Sequence, residues 1–211
     1  MAVRGEVHRE VDPEIATFTI SVEARGRDRD AVLRLLAGRQ ERVRAVLDGY
    51  ASAVEKQESS GIHVYPEGKK GSGEKVTAHN GNLQTTVTVA DFAVLGPLML
   101  ALAGEEQVSV SGPWWALRPG SPAHRDARQA AIADALERAR EYAAALSARI
   151  VRLIELADAG LNAQPLAGGG FRAMSLSEGA GDVPHMDLEP ERQQVHASVE
   201  ARFAISEPIL K

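Results

Sequence analysis

Ala16, Phe18, Ile20, Val22 and Ala24 alternate with Thr17, Thr19, Ser21 and Glu23, the two-residue period of a strand with one buried face. Residues 3–11 (VRGEVHREV) alternate in the same way, and Asp12-Pro13 marks a turn between the two. From Asp28 or Asp30 the period lengthens: Val32, Leu35, Leu36, Val43, Val46, Leu47 and Tyr50 fall on one face of a helix that ends near Gly49. Ser60–Tyr65 reads as a strand. It leads through the Gly-, Lys- and Ser-rich tip that starts at Pro66 into a long return strand from about Val76 to Ala90. Asp91 is placed to cap a short helix carrying Phe92, Leu95, Leu98, Met99 and Leu102, closed by Gly104. Residues 107–118 form a strand that is interrupted or bulged at Gly112-Pro113, since proline cannot donate to a ladder.

The longest uninterrupted pattern runs from Ser121 to Ala148. Ser121 suits the N-cap, Pro122 the first helical position, and Ala127, Ala131, Ala135, Leu136, Ala139, Tyr142, Ala143 and Leu146 recur at three- and four-residue steps, which predicts a helix over about 122–148. Its small side chains imply a close approach to whatever it covers. The β-branched, apolar run 150–156 predicts a strand directly after it, and Val195, Ala197, Val199, Ala201, Phe203 and Ile205 alternate in a last strand. Between these two, residues 160–194 are rich in Gly, Pro and Ser and read as a long flexible loop. The order β-β-α-β-β-α-β-α-β-loop-β favours an α+β fold, a mainly antiparallel sheet covered by helices, over a doubly wound parallel one. The expected organisation is a single domain over 1–211, or two intimate halves of about 1–90 and 91–211.

Composition then narrows the function classes. With 44% hydrophobic residues, 25% charged residues and a formal net charge of −5, the chain has the make-up of an ordinary globular protein. Its acidic balance and scattered basic residues argue against nucleic acid as a partner. The absence of cysteine removes disulfides, thiol nucleophiles and thiolate metal sites together. No segment approaches the roughly 18 apolar residues of a membrane span. The opening MAVRGEVHREVDPE has no apolar leader core, so the expected location is cytoplasmic, or extracytoplasmic if a leader has been removed.

Several motifs in order carry a resemblance. Gly5-Glu6, the run 12–16 (DPEIA), Ser59-Ser60 after the first helix, Tyr65-Pro66, the run 91–96 (DFAVLG), the alanine helix with Asp134 and Arg138, and Ile150, Leu153, Ile154 and Leu156 together resemble the SIMPL-domain family, a domain of unknown function. The resemblance implies a protein without agreed catalytic residues. Its bacterial relatives are typically exported and tied to the envelope and to oxidative-stress defence, and an animal relative is tied to kinase signalling. This chain carries Ala148-Arg149 at the helix-to-strand junction, where family members commonly have glycine.

Candidate chemistry is sparse. His8, His63, His79, His124, His185 and His196 show no recognised metal spacing, Ser109-Val-Ser111-Gly112 lacks the flanking glycine of a nucleophile elbow, and Gly168-Gly-Gly170 is followed by no Lys-Ser/Thr pair. No catalytic, metal or cofactor residue is therefore assigned, and no cofactor is expected. Trp114 and Trp115 are adjacent on a strand and must point to opposite faces, so one of them either lies beneath a loop or beside the long helix, or anchors a subunit interface or ligand groove, with Arg118 as a polar rim. The leading expectation is a non-enzymatic protein that acts as a homo-oligomer or on a protein partner. The competing one is a small-molecule-binding protein or hydrolase with a pocket between the long helix and the sheet, walled by Trp114 or Trp115.

Overall fold

The computed structural model describes residues 1–68, 76–158 and 188–209. It is an α+β protein with the expected order of elements, divided into two compact units. One unit comprises Pro13–Arg118 with residues 188–191. The other is assembled from Met1–Asp12 and residues 119–158 and 192–209.

In the first unit, strands β2 (Ile15–Gly26), β3 (Val54–Gly68), β4 (Val76–Val89) and β5 (Val108–Ala116) form an antiparallel sheet in the order β3-β4-β2-β5. Helices α1 (Arg29–Asp48) and α2 (Leu95–Ala103) cover its apolar face. Asp28 caps α1 by accepting from the Ala31 N–H at 2.8 Å, and Asp91 caps a 3-10 turn, Phe92–Val94, that leads into α2. Phe18, Ile20, Val87, Val89, Val32, Leu95, Leu98 and Leu102 are fully buried between the layers. Leu35 proves exposed, because the stripe of α1 that meets the sheet is the four-residue ladder Val32, Leu36, Val43 and Leu47. Gly81 lets α1 come close: a Cβ there would lie 2.4 Å from Val32 Cγ1.

Strand β3 starts six residues before the expected Ser60 and continues past the expected tip at Pro66, since Pro66, Glu67 and Gly68 still pair with His79, Ala78 and Val76. The rest of that tip lies outside the described residues. The interruption of β5 is a bulge against β2 beside a cis Gly112-Pro113 peptide.

The second unit holds an antiparallel sheet of β1 (Ala2–Val11), β6 (Ile150–Asp158) and β7 (Gln193–Ile205), with β7 central in the order β1-β7-β6. Adjacency in sequence suggests a hairpin for the first two strands, but β1 and β2 belong to different sheets and Asp12-Pro13 carries the chain from one to the other. Helix α3 (Pro122–Ala145) packs on β1 and β7 and barely touches β6. Its buried face is narrower than the pattern suggests: Ala127, Ala131, Ala135, Ala139 and Ala143 are buried, whereas Tyr142 and Leu146 are exposed. The reason sits opposite. A Cβ on Gly5 of β1 would stand 2.0 Å from the Ala131 carbonyl oxygen and 2.7 Å from Ala135 Cβ, so helix and strand touch backbone to backbone.

Helix α3 ends three residues before the expected Ala148. Ser147 adopts a left-handed φ of 53°, its N–H donates to Ala144 O at 2.9 Å, and the Ala148 N–H donates to Ala143 O at 2.8 Å. This is a Schellman closure with serine at the position that normally favours glycine. Residues 159–187 lie outside the described residues, and with them most of the expected 160–194 loop.

Candidate functional site

The β5–β2 register sets Trp115 opposite the buried Ala16 and Trp114 opposite Thr17. Trp115 therefore turns inward, half-buried, with its ring edge-on to Phe92 at 4.8 Å and 80°. Trp114 turns to the outer face and is 48% exposed. Arg118 follows the strand and is held: its N–H donates to the Glu14 carboxylate at 3.0 Å, while its guanidinium donates to the Glu14 carbonyl at 3.3 Å and to the Glu55 carboxylate. These contacts tie the end of β5 to the starts of β2 and β3. The three residues named from the sequence thus have separate surroundings, with only Trp114 offering a large free surface. Helix α3 belongs to the other unit.

Further along the same sheet, Arg25 grips Glu67 with two bonds, at 2.8 and 3.2 Å, and Asn80 donates to the same carboxylate at 3.1 Å. The hydrogen bond from Arg25, followed by that from Asn80, holds the Glu67 pKa below its ordinary value. All three groups fasten the β3–β4 hairpin toward its turn end.

The face of the three-stranded sheet away from α3 is polar. Arg4, Glu6 and His8 on β1 stand opposite Glu200, Ser198 and His196 on β7. Arg4 bonds Glu200 at 3.1 Å and approaches Glu6 at 3.5 Å, and the His8 and His196 rings lie 4.4 Å apart with a 34° tilt. An open cleft of about 540 Å³ in this unit is lined by Glu6, His124, Arg128, Asp158, His196 and Ser198 among others. Its mixed charges suit a polar ligand. Ser198 Oγ is buried with no hydrogen-bond partner among the described residues, and it forms no nucleophile–base pair with His196. Among the described residues no three His, Asp or Glu side chains are gathered closely enough to hold a metal ion.

A run of exposed apolar side chains lies on β6, which among the described residues pairs with β7 alone. Val151, Leu153, Ile154 and Leu156 are between 44% and 60% exposed. Leu153 and Leu156 pair with Phe203 and Ala201, so they lie on the helix side of the sheet, beyond the reach of α3. Two register shifts, at Ile150/Arg152 and Leu153/Glu155, break the alternation along this edge. Sequence reasoning identifies the strand and misses its exposure. The available signal is that the run 150–156 is apolar on both faces, a pattern suited to a strand covered on both sides.

No helix among the described residues is long and apolar enough to cross a membrane. A family model described as SIMPL, a protein of unknown function (DUF541), matches residues 1–203. No curated protein matches the chain.

Proposed function

The chain belongs to the SIMPL family, and on that premise we propose that it is a non-enzymatic protein that acts by self-association, with β6 as the contact between copies. The observation that carries this reading is the edge strand with Val151, Leu153, Ile154 and Leu156 exposed in sequence. An open strand edge combined with apolar side chains is a surface that proteins normally cover. Trp114, 48% exposed on the other unit, is the second anchor we assign to an interface. The family resemblance suggests stress or envelope-related defence as the setting for such an assembly.

Light scattering tests the reading. The wild-type chain should run well above its 22.5 kDa monomer mass at micromolar concentration, and the double variant Ile154→Arg, Leu156→Arg should run as a monomer. A wild-type monomer whose mass does not change with concentration would sink it. The cleft lined by Glu6, His124, Arg128 and Asp158 favours a second reading, binding of a small polar molecule.

A further inference from the structure

We propose that His8 and His196 form a two-imidazole binding site for a borderline divalent metal ion, with Cu2+ bound most tightly. The two residues are direct cross-strand partners in the β1–β7 ladder, and their ring centroids are 4.4 Å apart. Side chains opposed in this way start from Cβ atoms only about 5 Å apart. Binding would require each ring to turn about χ2 until one nitrogen of each lies at the ~2.0–2.1 Å of a metal–imidazole bond. Both residues are exposed, so the ion can keep water in its remaining positions and reach the site without any opening of the fold.

Along β1 the neighbouring carboxylates favour a cation, against the opposing charge of Arg4 and Arg128 in the cleft beside His196. Glu6 and Glu10 lie two residues either side of His8 and share its face, while the nearest arginine along that row, Arg4, is already engaged by Glu200 and Glu6. Ser198 and Gln194 flank His196 and add no charge. Imidazole pairs suit Cu, Ni and Zn, and at equal availability the order of stability places Cu2+ first. The chain has no cysteine to compete for the ion. The bound ion would staple β1 to β7.

Calorimetric titration of the full chain with CuCl2, followed by paramagnetic resonance, tests the proposal. The wild type should bind Cu2+ one-to-one with two nitrogen ligands. His8→Gln and His196→Gln should each weaken binding by about 100-fold, the gain expected when a second ligand is held in place. His63→Gln, in the other unit, should leave affinity unchanged. Saturating Zn2+ should raise the thermal midpoint of the wild type and not that of the double variant His8→Gln, His196→Gln, because only an ion bound to the folded ladder stabilises it. Equal Cu2+ affinity in the wild type and the double variant would overturn the proposal. So would a Zn2+ shift that survives in that variant.

Discussion

The two units solve the same problem, a helix laid on an antiparallel sheet, with opposite materials. The unit around β2 and β4 fills its interlayer space with Phe18, Ile20, Leu36, Leu47, Leu95, Leu98 and Leu102, all at most 2% exposed. The unit around β7 removes much of that space instead: Gly5 and five alanines let α3 rest on β1 backbone to backbone, while Val195, Val199 and Phe203 of β7 fill the rest of the layer. The first is stabilised mainly by buried apolar area, the second by the density of contacts at short range. The first should therefore fail when atoms are removed, and the second when they are added.

That contrast is sharpest for Phe18→Ala, which leaves a cavity in the large-residue core and should cost about 3–5 kcal/mol in urea unfolding. Gly5→Ala adds one methyl to the other unit and should cost on the order of 3 kcal/mol, because the new Cβ meets helix backbone that no rotamer change can move. A harmless Gly5→Ala would break the comparison outright. Ala135→Leu tests the helix side of the same contact and should cost about 1–3 kcal/mol.

The smallest effect runs the other way. Ser147→Gly relieves a left-handed serine at the end of α3 and should raise stability by up to about 1 kcal/mol, read as a higher thermal midpoint. A lower midpoint would show that the Ser147 side chain contributes more than its backbone strain costs.

Most elements were legible in the sequence because their signals are local. Asp91 and Ser121 cap the segments they are expected to cap, Asp28 is the one of two candidates that caps α1, and the alternation in β2 and β7 marks their buried faces. The stop at Ser147 was hidden, since serine gives no C-cap signal and only the backbone dihedral reveals it. The division into two sheets was hidden as well: Asp12-Pro13 reads as a hairpin turn, and only long-range pairing shows that β1 leaves to join β7. For the candidate surfaces, strand parity separates Trp114 from Trp115, but it cannot tell which one the core receives or that Glu14 and Glu55 occupy Arg118. The exposure of β6 depends on where a helix 24 residues long happens to end and lie, which no periodicity records.

The place of β7 in its sheet also fixes an order of events during synthesis. Ala2 pairs with Arg202, and Ile150 with Ile205, so neither β1 nor β6 has its neighbour until β7 has been made. Pro13–Arg118 holds nearly all of the other unit and is complete much earlier. On a ribosome the large-residue unit can therefore fold first, while β1 waits as a loose strand across a loop of almost the whole chain, whose closure entropy the last strand must overcome. A chain that stops short of β7 would leave both partners unpaired and the apolar β6 uncovered, the kind of product that quality-control proteases remove.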